Sequence, residues 1–156
     1  MNHRLSDRVS WGDRFSPGEL KNDVGAVVCL CENAELAADP ACSPFAQLLP
    51  NHPKPYLWLP INDYHQPTEA FFAYLDTFLL NVKRNGVRLL VHCWAGHHRS
   101  PAIAIYSERI LSGGMTLDAL KATKASVEAM EPKVHYLTFS TAVHEYLEML
   151  CRGEST

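Results

Sequence analysis

The sequence predicts an α/β fold, a small sandwich built on a mostly parallel central sheet. Two observations carry that expectation. Near-continuous apolar runs, Val24 to Cys31 and Val87 to Val91, lack the alternation of a half-exposed strand and suit strands buried on both faces. Strand patterns also alternate with helical ones in the first two-thirds of the chain, while helices accumulate toward the end.

Taken in order, residues 6–11 read as a first edge strand. Ser16-Pro17-Gly18-Glu19 reads as a capping box with proline in the first turn, opening a short helix to about residue 21. The apolar run ending at Cys31 is followed by a short helical stretch, Glu32 to Asp39. Residues 40–54 carry Pro40, Pro44, Pro50 and Pro53 and read as an irregular surface excursion. Tyr56 to Ile61 forms a strand whose Pro60 favours an edge position. From Pro67 to about Arg84, Phe71, Phe72, Leu75, Phe78, Leu79 and Val82 fall on one helical face, and Asn85-Gly86 supplies the left-handed stop. A helix opens at Ser100-Pro101 and closes at Gly113-Gly114. Another runs from Thr116 to about Met130, and a last one over roughly 138–151 aligns Phe139, Ala142, Val143, Tyr146, Leu147 and Leu150.

Bulk properties narrow the function classes. A chain of 156 residues is enough for one compact domain, residues 1–156, with a sizeable core. The formal net charge is −3 and no basic stretch offsets it, which argues against general nucleic-acid binding. No apolar run is long enough to cross a bilayer, and residues 1–20 are too polar for a signal peptide. The five cysteines, an odd number, point to free thiols in a reducing cytoplasm.

The chemistry gathers in Val87-Arg88-Leu89-Leu90-Val91-His92-Cys93-Trp94-Ala95-Gly96-His97-His98-Arg99-Ser100-Pro101. A buried strand, a tight loop and a helix start follow one another there. That arrangement aims backbone N–H groups and a helix dipole at an anion. Cysteine alone would read as a buried structural residue; the glycine, the arginine six positions beyond the thiol and the serine turn the reading toward phosphate. A helix start and neighbouring cations bring a thiol pKa down to roughly 3.5–7.5, making Cys93 the candidate nucleophile. Arg99 is the candidate phosphate fork. The backbone of Trp94, Ala95, Gly96, His97 and His98 supplies further donors, Gly96 allows a curl that a Cβ would obstruct, and Ser100 donates to the sulfur as thiolate leaves.

The sequence His92-Cys93-x5-Arg99-Ser100 resembles the active-site loop of the protein tyrosine phosphatase superfamily, and Arg99-Ser100-Pro101 in a short chain resembles its dual-specificity branch. The resemblance implies a central mixed sheet of about five strands with helices on both sides. It implies hydrolysis through a cysteinyl-phosphate, without metal or other cofactor. It also implies an aspartate acting as general acid and then as base. Asp63, in Leu59-Pro60-Ile61-Asn62-Asp63-Tyr64-His65, stands thirty positions before Cys93 and fits; Asp76 is its rival, on the polar side of a helix. A turn cap is the structural alternative for Asp63.

In the family, His92 would support the loop through a hydrogen bond to backbone. His97 and His98 lie too close on a tight loop to chelate zinc with Cys93; His97 fits better as a rim charge for acidic substrates, and His98 as a packed or solvent-facing residue. Phosphoinositide phosphatases of the superfamily carry loop lysines where Trp94 and His97 stand here, so Trp94 weakens a lipid reading. Cys31 resembles the strand-end cysteine that forms a disulfide with the nucleophile in some members, a resolving thiol, with a buried structural thiol as the alternative. Tyr64, His65 and Gln66 are expected to line the cleft. Glu131-Pro132-Lys133-Val134-His135-Tyr136 departs from the family's Arg…Pro-Asn run.

The expected substrate is therefore a phosphoprotein carrying phosphotyrosine, with phosphoserine or phosphothreonine also in reach. A non-protein phosphoester such as a phosphoinositide, or a silent phosphate-binding module, remains the alternative.

Overall fold

The computed structural model describes residues 1–48, 51 and 53–154. Its centre is a five-stranded sheet in the order β1-β2-β5-β3-β4. The strands are β1 (Asn2–Arg4), β2 (Val9–Gly12), β3 (Ala26–Cys29), β4 (Tyr56–Trp58) and β5 (Leu89–His92). Only the β1–β2 pair is antiparallel. The mixed, mostly parallel sheet is thus as expected. The first strand differs: the 6–11 segment yields β2, which lies inside the sheet, while β1 takes the edge. Val9 and Trp11 are fully buried, and a strand with that burden cannot be left on a margin.

Side-chain alternation along β3 and β5 divides the interior in two. Ala26, Val28, Leu89 and Val91, with Leu30 and Cys93 just beyond the strand ends, join the larger core under the long helices. Those helices are α4 (Glu69–Asn85), α5 (Arg99–Ser112), α6 (Leu117–Met130) and α7 (Thr138–Glu154). Phe71, Leu75, Leu79 and Val82 of α4 are its buried stripe, and α5 is almost wholly buried between the sheet and α4, α6 and α7. On the other face Val27 and Leu90 pack with Val24, Leu20, Leu48 and Tyr56, beneath the short helices α1 (Ser16–Glu19) and α3 (Pro44–Leu48). Helices therefore flank the sheet on both sides.

Local signals account for most helix ends. Thr68 and Thr116 cap α4 and α6 by accepting from the N–H of Phe71 and Ala119. Gly86 and Gly113 end α4 and α5 with φ of +65° and +88°. Two expectations fail. Ser16 does not cap α1: Phe15 is the cap residue, and the Ser16 hydroxyl, fully buried, donates to the Met1 carbonyl. The proline-rich excursion is partly ordered, with a one-turn 3-10 helix (Pro40–Cys42) and then α3, which prolines at their first positions permit; Pro50 lies outside the described residues. The real capping box belongs to α2 (Asn33–Ala38), where Glu32 and Glu35 bond reciprocally.

Candidate active site

The loop after β5 hangs from β2. The Gly12 carbonyl accepts from the Cys93 N–H at 3.2 Å and from the Ser100 hydroxyl at 3.1 Å. Gly96 has φ +80°, and a Cβ there would stand 3.0 Å from the Gly12 carbonyl carbon and 3.1 Å from the Asp13 nitrogen. The curl thus needs glycine for both torsion and space. Trp94 is clamped from behind: its carbonyl accepts from the Arg14 backbone and guanidinium, and that guanidinium stacks 4.5 Å from the indole and 4.6 Å from the Phe15 ring.

Cys93 is 2% exposed, with Sγ receiving the Gly96 N–H at 3.2 Å and lying 3.3 Å from Ser100 Oγ. Ser100 has one proton and two acceptors near it. With Cys93 as thiol, the sulfur donates to Ser100 while Ser100 donates to Gly12; with Cys93 as thiolate, the hydroxyl is free to turn toward the sulfur. The loop runs directly into the first turn of α5, whose dipole favours negative charge there.

Arg99 is 5% exposed and held from behind. Its terminal nitrogens make a fork–fork pair with Glu35 at 2.8 and 2.9 Å, and Nη1 also donates to the carbonyls of Ile61 and Leu30. Burial alone would lower the guanidinium pKa, but the Glu35 bond and the neighbouring Cys93 and Asp63 raise it, so the charge is secure. Burial would raise the Glu35 pKa, yet its bonds to Arg99 and to the Glu32 N–H bring it below the ordinary carboxylate range. The remaining side of the guanidinium carries Nε, a buried donor with no hydrogen-bond acceptor. Asp63 Oδ1 lies 3.3 Å from it, as an ion pair without hydrogen-bond geometry.

Asp63 follows β4 on a segment fastened at several points. Its carbonyl accepts from the Phe139 N–H in the first turn of α7, and Asn62 donates to Glu32, the cap of α2. Asp76 is far less apt, since it accepts from the Tyr106 hydroxyl between α4 and α5. Tyr64 and Gln66 line an open groove with Tyr136, Leu137 and Thr138; His65 is exposed beside it.

The rim histidines separate in role. His98 is half-buried, its ring perpendicular to His135 at 4.0 Å with Nδ1 3.2 Å from the His135 carbonyl; burial first, then His135, lowers its pKa. His97 lies edge-on to the His98 ring at 6.0 Å; burial would raise the pKa of nearby Glu131, but bonds from the Lys133 N–H and His3, with a lesser part from His97, bring it below the ordinary range. His92 departs from expectation. It is fully buried, and neither ring nitrogen makes a hydrogen bond, so the expected bond to backbone does not form. Alternation along β5 points the ring to the face opposite the nucleophile, where it meets Cys29 and Cys31. Cys31 likewise belongs with Cys29 and His92: the Cys29 bond and burial push its thiol well up. All five cysteines are free.

Three supporting residues escape a reading of the sequence. Glu35 was visible only as part of a helix, although Glu32-x-x-Glu35 after a strand was a capping signal. Arg14 and His135 come to the loop from distant segments and leave no local mark.

The fold and loop define a class: a cysteine-centred anion loop at the C-terminal end of a mostly parallel sheet, facing a carboxylate that follows β4, two strands away from β5. No protein-family model matches the chain. Over 86 residues, 54% of this chain, it is 31% identical to the Tyrosine-protein phosphatase vhp-1 of Caenorhabditis elegans, and the match spans 13% of that protein's length. The crystal structure of Tk-PTP in the active form is similar with a TM-score of 0.71 at 21% identity, covering 95% of this chain and 96% of that one. The human tyrosine phosphatase-like serine/threonine/tyrosine-interacting protein gives 0.70 at 20% identity, over 95% and 96%. Human DUSP28 gives 0.64 at 20%, over 94% and 93%. By fold the chain is similar to these solved phosphatase and phosphatase-like structures along nearly its whole length.

Proposed function

We propose that residues 1–156 form one catalytic domain, a cysteine-dependent phosphatase that removes phosphate from phosphotyrosine, and from phosphoserine or phosphothreonine, in proteins. The observation that carries the reading is the split use of Arg99. Glu35 occupies the end-on fork, leaving the side-on pair, Nε–H and one Nη2–H, for two phosphate oxygens. Cys93 Sγ attacks phosphorus in line, and the phosphoryl group passes from the ester oxygen to sulfur. Asp63 gives its proton to the leaving oxygen, having exchanged its place beside Nε for one beside the ester. In the second half Asp63 takes a proton from water, the S–P bond breaks, and the Ser100 hydroxyl stabilises the departing thiolate. The loop N–H groups of residues 94–98 and Arg99 neutralise the three equatorial oxygens.

The catalytic chemistry uses no metal and no cofactor. The partner is a phosphorylated protein rather than nucleic acid, in keeping with a net charge of −3, and no helix among the described residues is long and apolar enough to cross a membrane. Five free thiols suit the cytoplasm. The test is phosphate release from an aryl phosphate, a phosphopeptide panel and a phosphoinositide panel, with Cys93→Ser as control. We expect release from the aryl phosphate and phosphopeptides, lost by a factor on the order of 10⁴ or more in Cys93→Ser. Release only from phosphoinositides would move the substrate to lipid, and phosphopeptide binding without release would make the loop a binding module.

A further inference from the structure

On the face of the sheet away from the nucleophile, Cys29, Cys31 and His92 bring two thiols and an imidazole together, their ligand atoms all within 4.8 Å of one another. Parallel pairing sets Cys29 beside His92, and the two-residue period of the chain carries Cys31 to the same side. All three residues are fully buried. An imidazole in such a place ordinarily finds a partner for each nitrogen, yet neither nitrogen of His92 meets hydrogen-bond geometry with any group, and the Cys31 thiol lies near enough to interact with it. The loop chemistry does not use this group: alternation along β5 turns His92 to the face opposite Cys93.

We propose that Cys29, Cys31 and His92 are a buried binding site for a soft, thiolate-seeking metal ion, zinc foremost. Two sulfurs and one imidazole nitrogen form a ligand set that zinc accepts, with water in the fourth position. Bonds of about 2.3 Å to sulfur and 2.0–2.1 Å to nitrogen require the three ligand atoms to close by a fraction of an ångström to about an ångström, within reach of side-chain adjustment. Charge favours the divalent ion. Each thiol gives its proton to solvent as its sulfur binds, no electron changes hands, and two thiolates with a neutral imidazole cancel the zinc charge in a place where an uncancelled charge would be costly. Tyr56 packs on the same face of the sheet. The Trp58 indole N–H donates to the Cys31 carbonyl at 2.7 Å and steadies the strand end. The metal would fasten β3 to β5 at the root of the loop, a structural role separate from phosphate chemistry.

The experiment is a cobalt titration of the chelator-stripped, reduced chain, followed by zinc displacement, in wild type and Cys93→Ser. Expected is an equimolar thiolate-to-cobalt charge-transfer band in both, removed by one equivalent of zinc, with a zinc-dependent rise in Tm of several degrees. X-ray absorption of the zinc-loaded Cys93→Ser protein should show two sulfurs and at least one nitrogen around the metal. Cys29→Ser, or Cys29→Ala where the serine variant does not fold by circular dichroism, should lose the band. Absence of the band in wild type, its loss in Cys93→Ser, its persistence in folded Cys29 variants, or a zinc shell without sulfur would each overturn the proposal. Because the binding readouts do not depend on turnover, they succeed or fail independently of the phosphatase assay.

Discussion

The two halves of the active site are built on opposite plans. The loop from Cys93 to Ser100 is gripped from β2, from Arg14 and from Glu35, with Arg99 Nε left as a donor without an acceptor. The segment around Asp63 is held by its backbone and by Asn62, while its carboxylate faces Arg99 without a hydrogen bond. The difference follows from the chemistry. The three phosphoryl oxygens move little while phosphorus passes between ester oxygen and sulfur, and fixed donors aimed at the flattened transition state reward a rigid mould. In the proposed mechanism Asp63 must leave Arg99 Nε and meet the ester oxygen, and a fully satisfied carboxylate would have no reason to move.

The largest break in that contrast should come from Asp63→Ala. Turnover of esters with poor leaving groups is expected to fall about 10²–10⁴-fold, with a smaller loss for good leaving groups; equal losses in a leaving-group series would remove Asp63 from the acid role. Next is Glu35→Gln, which keeps the shape but weakens the clamp on Arg99. A charge-assisted bond of about 1.5–3 kcal/mol corresponds to a drop of roughly 10–100-fold in kcat/KM, with phosphate inhibition weakened in parallel. The same variant has a pH signature. The Glu35 pKa is depressed in the fold, so its contribution to stability is present above the unfolded carboxylate value of about 4.3 and is lost as pH falls through the lower folded value. Thermal melts of wild type and Glu35→Gln should therefore converge toward acid pH.

Gly96→Ala tests the rigid half from inside. A left-handed φ and two close backbone atoms should cost about 1–3 kcal/mol, read as a lower denaturation midpoint together with weaker phosphate binding. The smallest effect belongs to the support beneath the acid segment. His144 of α7 packs perpendicular to Tyr136 at 4.7 Å, and burial, with a lesser part from Lys124, lowers its pKa from 6.5 to about 4. A depressed folded pKa means that the unfolded chain takes the proton first. The neutral histidine's full contribution therefore lies above pH 6.5, declines through the interval, and is lost by about pH 4. His144→Leu should flatten the fall of Tm across that range.

What could be read from the sequence follows the same division. Cys93, Gly96, Arg99 and Ser100 lie within eight residues, and the loop's chemistry is written in their spacing. Asp63 was placed by its interval from Cys93 and its position after a strand. Helix ends at Gly86 and Gly113 were legible because one residue sets the torsion. The clamp was not legible, since Glu35 reaches Arg99 only after β3 and β5 pair, and pairing is a long-range event. The turn of His92 to the other buried face was missed for a related reason: one residue's shift along a strand exchanges the two faces of a sheet, so neighbours in sequence, His92 and Cys93, serve different compartments.

Helix α2 contributes no buried residue to either core, yet from its first turn Glu35 steadies Arg99 and Glu32 steadies Asn62. An element with no buried residue thus holds both halves of the proposed active site from outside. A helix of six residues packed so lightly has little folding energy of its own, and an antibody, peptide or small molecule gripping its outer surface would act as a remote brake or splint on turnover without approaching the phosphate pocket.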